Sequence, residues 1–234
     1  MLNKTTKMLL AVAYILLIAS VLVLIISSTV NIYAHSPDLY RYGFAKYQIS
    51  RVTGISNAQL EEVAQKMVGY FNANSQTPQV VVDKGGLKMP VYSEKELVHL
   101  EDVGKIIFIF KILQILSIVI FLMAGTFIFM KDGIRKLLRG IQIGSIATAA
   151  LMGLIIIWAL IDFDSLFFLF HLISFSNDLW LLDPSKDYLI MMFPQGFFFD
   201  AAVFVIVTII IEALVLWLIA FAIRKIYLPD VPAA

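Results

Sequence analysis

Four long apolar runs organise the chain. Residues Met8 to Ala34 contain no Asp, Glu, Lys or Arg. A second run extends from Lys105 to Met130, a third from Ile141 to Ile161, and a fourth from Phe198 to Ile223 with Glu212 in its middle. A membrane-spanning helix needs roughly 20 apolar residues, and each run is that long. The first follows Lys4 and Lys7. It outlasts the roughly 7–15 apolar residues of a cleaved signal peptide, so an uncleaved span is expected.

The polar intervals predict the orientation. The stretch KDGIRKLLRG, residues 131–140, carries Lys131, Arg135, Lys136 and Arg139. Short loops rich in Lys and Arg stay in the cytoplasm. Lys4 and Lys7 before the first span, and Arg224 and Lys225 after the fourth, agree. The expected organisation is a cytoplasmic N-terminus and first span over 1–30, then an extracellular region over 31–104. The second span covers 105–130, a basic cytoplasmic loop 131–140, and the third span 141–161. An outer active-site loop over 162–197, a fourth span over 198–223 and a cytoplasmic tail over 224–234 complete it. Both termini are then cytoplasmic.

Shorter periodicities mark the outer regions. Ser56-Asn-Ala-Gln59 reads as a capping box, after which Leu60, Val63, Ala64, Met67, Val68 and Phe71 recur at helical spacing. That amphipathic helix lies on the membrane surface or packs against the rest of the outer region. Gln79–Asp83, a Lys-Gly-Gly turn and Leu87–Tyr92 predict a β-hairpin, whose second strand Pro90 confines to an edge. Helix and hairpin together are placed as a cover over substrate. Ser93-Glu-Lys-Glu96 is a second capping box, so one helix is expected to begin at Glu94 and continue into the second span. The interval 162–197 mixes aromatic residues with Asp162, Asp164, Asp178, Asp183 and Asp187. It reads either as an aromatic belt at headgroup level or as an irregular, partly re-entrant segment lining a pocket. The fold class expected is an all-α polytopic membrane protein. Its four transmembrane helices carry a small extracellular α+β portion and a re-entrant aromatic and acidic outer loop.

Composition narrows the class. Of 234 residues 60% are hydrophobic and 15% charged, against about 45–50% and 25% in soluble domains. That excludes a disordered chain and argues against a soluble domain. The absence of Cys excludes disulfides, thiolate metal sites and a cysteine nucleophile. The net charge of +1 excludes a strongly basic nucleic-acid binder. It is a cancellation: the expected cytoplasmic parts hold 8 basic and 2 acidic residues, and the outer parts, Asp200 included, hold 8 and 14.

All three histidines, His35, His99 and His171, fall on the outer side in this topology. Without Cys they are the natural bases near neutral pH. Asp102 stands three residues after His99 and Glu96 three before it. A carboxylate there can fix the imidazole tautomer, and Asp102 is the better candidate because Glu96 is used by its cap. A surface histidine on a charged helix fits that spacing equally well. His171 sits in LFFLFHLISF, where desolvation favours the neutral ring, as it also would for a packed interfacial histidine. His35 reads as structural. Glu212, at mid-span, reads as a neutral acid bonded to Gln142 or Gln114, with a proton relay as the alternative. No Walker, HExxH or GxSxG motif is present, and neither a metal nor another cofactor is expected. On the residues alone a non-catalytic four-span subunit or sensor competes with an enzyme. A transporter using Glu212 and Lys111 is a third reading.

Two stretches carry a resemblance. Ser93-Glu-Lys-Glu-Leu-Val-His-Leu-Glu-Asp-Val103 resembles the S-x-x-E-x-x-H-L-x-D-V motif of the lipoprotein intramolecular transacylases (Lit) of Gram-positive bacteria. The second signature of that family resembles three pieces: Phe170-His171, Asn177-Asp178-x-Trp180-x-x-Asp183-Pro184-x-x-Asp187-x-Leu189-Ile190, and Pro194-x-x-Phe197-Phe198-x-Asp200. The run Met89-Pro-Val-Tyr92 is less aromatic than the family pattern. The resemblance implies transfer of the sn-2 acyl chain of a diacylglyceryl-cysteine lipoprotein to the α-amino group of that cysteine, giving the lyso-form. It implies His99 and His171 as catalytic residues. Ser93, Glu96, Asp102, Asp178, Trp180, Asp183 and Asp187 become supporting or substrate-binding residues. The partners implied are lipoproteins and membrane lipid in a bacterial cell membrane, with the active site at the extracellular face and no nucleic acid; a monomer suffices.

Overall fold

The computed structural model describes residues 3–72 and 76–227; the last residues of the expected tail, 228–234, lie outside them. Helix α1 (Lys4–Ala34) is followed by α2 (Pro37–Lys46), α3 (Ile49–Thr53) and α4 (Asn57–Phe71). A hairpin of β1 (Val81–Lys84) and β2 (Leu87–Pro90) leads into α5 (Glu94–Asp132) and α6 (Ile134–Ile161). Then come α7 (Phe163–Ser174), α8 (Tyr188–Met192) and α9 (Gln195–Tyr227). Helices α1, α5, α6 and α9 are long and apolar enough to cross a membrane. The fold is all-α with one small antiparallel sheet, as the sequence predicts.

The chain forms two compact units. The first is built from Met1–Thr29, Phe110–Ile157 and Val205–Ala234. In it α1 and α6 touch closely where side chains are smallest. A Cβ on Gly140 would sit 2.6 Å from Leu17, and one on Gly144 2.8 Å from Val21. Leu10, Ala13, Leu17, Ala124 and Ile128 form an apolar cluster. Polar side chains pair inside this unit. Thr29 Oγ1 donates to Glu212 at 2.6 Å, Gln114 donates to Ser28 at 3.0 Å, and Arg224 donates to Gln142. Glu212 is thus held by a threonine on α1. Gln142 is engaged by Arg224.

The basic stretch 131–140 is not a loop. Helix α5 runs to Asp132 and α6 starts at Ile134, so Arg135, Lys136 and Arg139 lie in the first turns of α6. Gly133 alone makes the reversal, at φ 78°, a left-handed conformation that costs a residue without Cβ little. Its N–H closes the helix end on the Phe129 carbonyl at 3.0 Å.

The second unit comprises Val30–Ile109 and Trp158–Phe204. Its core joins Leu60, Val63, Ala64 and Met67 of α4 to Val80, Val82, Tyr92, Leu189 and Phe197. The amphipathic face of α4 is thus packed into protein. The Ser56–Gln59 capping box is formed in both directions. In the hairpin, Gly85 and Gly86 take φ of 66° and 89° and connect strands in register from Val81↔Pro90 to Lys84↔Leu87. Tyr92 is buried in this core.

The interval 162–197 is more regular than expected. Asp162 caps α7 by accepting from the Ser165 N–H at 3.0 Å. The next 12 residues are helical; after them only 175–187 and 193–194 are irregular, and α9 begins at Gln195, ahead of the expected Phe198.

Candidate active site

The second unit encloses a cavity of about 720 Å³, walled by side chains of α2, α4, α5, α7, α8 and α9. Its lining is apolar except at two places. One holds His99, His171 and Trp180; the other holds Asp164, Ser165 and Gln195. Met67 and Phe71 of α4 reach it, whereas no hairpin residue lines it.

His99 lies in the second turn of α5, ahead of the apolar stretch that starts after Lys105. His171 lies in the third turn of α7. Both are buried. The fold brings their rings to 6.3 Å between centroids, inclined by 26°. The edge of Phe167 meets the His171 ring at 4.3 Å, and Trp180 lies against it at 4.8 Å. Phe175 packs against both imidazoles, at 4.9 Å from His99 and 5.6 Å from His171.

The two rings differ in hydrogen bonding. Nδ1 of His171 stands 2.7 Å from the Phe167 carbonyl. A carbonyl only accepts, so Nδ1 carries the proton and Nε2 presents a lone pair. Nδ1 of His99 is buried without a hydrogen-bond partner among the described residues. Burial lowers both imidazoles below the ordinary histidine value. His171 opposes it further at His99, which is pushed down to about 4 against the pull of Asp102. Both rings are neutral at pH 7.

Asp102 is not hydrogen-bonded to His99. Its oxygens accept from Asn177 at 2.8 Å and Lys105 at 3.0 Å, and these hold its carboxyl below the usual range, Asn177 foremost. Glu96 is 1% exposed and serves the backbone. It accepts from the Ser93 N–H at 2.7 Å, while Ser93 Oγ accepts from the Glu96 N–H at 3.4 Å. Its second oxygen accepts from the Leu189 N–H at 2.6 Å, tying the start of α5 to α8.

The acidic residues of the irregular stretch build turns. Asp183 accepts from the Ser185 N–H and hydroxyl at 2.9 and 2.6 Å; buried Asp187 accepts from the Asp183 N–H at 2.7 Å. Asp178 is exposed, and its carbonyl accepts from Leu181 at 3.1 Å. Together these turns seat Trp180 against His171. His35 faces two helix-end carbonyls, Asn31 at 2.6 Å and Phe71 at 3.2 Å. Sequence reasoning placed Phe175, Asp164 and Gln195 within the interval read as lining a pocket but gave none of them a role of its own. Asn177, which spaces Asp102, was visible in the motif but had no assigned role.

A family model described as lipoprotein intramolecular transacylase Lit matches residues 14–198. The chain belongs to that family. It is a membrane-integral acyltransferase, which sets aside the sensor and transporter readings. Solved structures similar to it include the membrane integral lipoprotein intramolecular transacylase Lit from Bacillus cereus. That structure aligns with a TM-score of 0.77 at 22% identity, over 94% of this chain and 98% of that one. Variants of the same enzyme with one histidine replaced align similarly. The arginine variant gives a TM-score of 0.75 at 20% identity over 96% of both chains; the alanine variant gives 0.74 at 21% over 94% and 95%. These likenesses establish the Lit fold for this chain. No curated protein sequence matches it.

Proposed function

We propose that this Lit-family enzyme moves the sn-2 acyl chain of a diacylglyceryl-cysteine lipoprotein to the α-amino group of the same cysteine. The product is the N-acyl, S-monoacylglyceryl lyso-form. The supporting observation is the pair of neutral imidazoles facing one apolar cavity, one with a defined proton acceptor.

Nucleophile and electrophile already belong to one molecule. Attack closes a ring of about eight atoms, and intramolecular reactions so tethered reach effective molarities of about 10⁵–10⁸ M. The amine nitrogen bonds to the acyl carbon, and Nε2 of His171 takes the amine proton as base. The same imidazolium returns that proton to the glyceryl oxygen as the old ester bond breaks. One N–acyl bond replaces one O–acyl bond, and no acyl-enzyme forms. A ring that titrates near 4 is a poor base at pH 7. His99 therefore acts through its N–H, as a donor to the developing oxyanion. The aromatic walls lower the local dielectric, which strengthens that hydrogen bond.

The lipid tails lie among the apolar spans and the ester at the outer headgroup level. Both termini are cytoplasmic, the site faces outward, and one protomer suffices. The test is purified enzyme in detergent with a synthetic diacylglyceryl lipopeptide, followed by mass spectrometry of the peptide. Wild type converts it without partner or energy source. His171→Ala abolishes conversion, and His99→Ala reduces it about 10²–10³-fold, the loss typical of one oxyanion donor. Full yield from either variant would remove that residue from the mechanism. Glu212→Gln retains activity.

A further inference from the structure

The second polar place in the cavity has no part in the chemistry above. Asp164 opens α7, two turns before His171 on the same helical face: residues 164, 168 and 171 all line the cavity. Asp162 already caps α7, so Asp164 is not held there by capping. One of its oxygens accepts from Gln195 Nε2 at 2.5 Å. Its other oxygen receives no donor from the described residues. Gln195, first residue of α9, keeps a carbonyl oxygen and a second amide hydrogen. Both side chains are exposed at the rim of the cavity, so the pair offers acceptors and a donor side by side where the apolar wall opens to solvent.

We propose that Asp164 and Gln195 form a subsite for the peptide backbone of the lipoprotein. The proposal rests on the acyl transfer argued above. Of the parts of that substrate, acyl chains, esters, thioether and glyceryl carbons contain no hydrogen-bond donor. Only the peptide does, and its α-amine is required at His171. A carboxylate at the exposed rim, where the peptide leaves the cavity for solvent, meets an N–H further along the peptide, and Gln195 meets the neighbouring carbonyl. Seven residues of helix separate Asp164 from His171, about 10 Å. An extended peptide covers about 3.3 Å per residue, so the amide reached is about three residues from the modified cysteine. Backbone recognition reads no side chain, so the preference is independent of the peptide's sequence.

The test compares kcat/KM of purified enzyme for two diacylglyceryl lipopeptides, one ending at the cysteine amide and one extended by four residues. N-methyl scanning of the second, third and fourth residues of the longer peptide completes the set. A hydrogen bond to a charged group supports a long-over-short ratio of about tenfold or more in wild type. That preference vanishes on N-methylation of one residue at or next to the third. In Asp164→Ala and in Gln195→Ala the ratio falls to near one, and the N-methyl effect disappears. Melting temperatures of both variants within a few degrees of wild type exclude misfolding. A ratio near one in wild type overturns the subsite, as does a variant that keeps the wild-type ratio. A preference that follows a basic side chain and ignores N-methylation also overturns it. Absence of N-acyl product from every peptide with wild type is a different failure, that of the acyl-transfer reading itself.

Discussion

His171 and His99 are both buried rings, yet their surroundings divide their work. The Phe167 carbonyl fixes one tautomer of His171, and packing alone holds His99. Because burial lowers both values, acid protonates them only below the ordinary histidine range near 6.5. The free α-amine of a peptide titrates near 7.7–8.0. Between about pH 6.5 and 7.5, kcat/KM should rise about tenfold per unit, following the amine alone. The slope steepens only at lower pH, where the imidazoles gain protons and the acceptor is lost. An inflection at 6.5 in the pH profile would contradict neutral, depressed rings. Glu96 illustrates a buried acid with a structural task. Glu96→Ala leaves two backbone donors, on Ser93 and Leu189, without their acceptor. At about 1–3 kcal/mol for each unsatisfied group, chemical denaturation should show a loss of several kcal/mol, with Glu96→Gln losing less. Half of this role was legible: a Glu three residues after a Ser signals the cap, but nothing local points to Leu189.

At the scale of elements, α2 is positioned by α9 within the second unit. Lys46 and Tyr47 both hold Asp200, at 2.7 and 2.8 Å. Close approach comes from glycine. A Cβ at Gly43 would meet the Phe197 ring at 2.3 Å, and Phe197 lines the cavity. Gly43→Ala should cost about 1–3 kcal/mol by overpacking and lower activity as that wall moves. Gly69 in α4 is the control, with nothing within 4 Å of its would-be Cβ. Gly69→Ala should be neutral or stabilise by up to about 1 kcal/mol. Thermal melts of the two variants check the contrast. Sequence periodicity predicts α4 well, because burial of Leu60, Val63, Ala64 and Met67 follows one helical face. Within the aromatic and acidic interval 162–197 it does not single out α7, nor does it foresee the collapse of 131–140 to one glycine. A run of basic residues reports charge and is silent on whether the backbone reverses in ten residues or one.

For the whole molecule, the charge asymmetry makes a prediction about orientation. By the positive-inside rule the proposed orientation puts the hairpin outside and the α5–α6 turn inside. The chain has no native cysteine, so single cysteines report cleanly. In intact cells a membrane-impermeant maleimide should label Lys88→Cys at once. Lys136→Cys should react only after the membrane is opened. The reverse pattern would invert the proposed topology and place the histidines on the wrong side.

Four spans, two capping boxes and the glycine hairpin were determined by sequence alone, because each depends on residues within a few positions of one another. The partners of the acids were not. Asp102 stands within helical reach of both His99 and Lys105, and such surface pairings differ by only about 0.2–0.5 kcal/mol. The tertiary structure decides by delivering Asn177 from 75 positions away. In the same way it gives Glu96 to Leu189 and brings His99 to His171. Those contacts form between buried groups, where an unmatched donor or acceptor is costly. Which group fills each position depends on how the long segments close on one another, and local spacing carries no record of that.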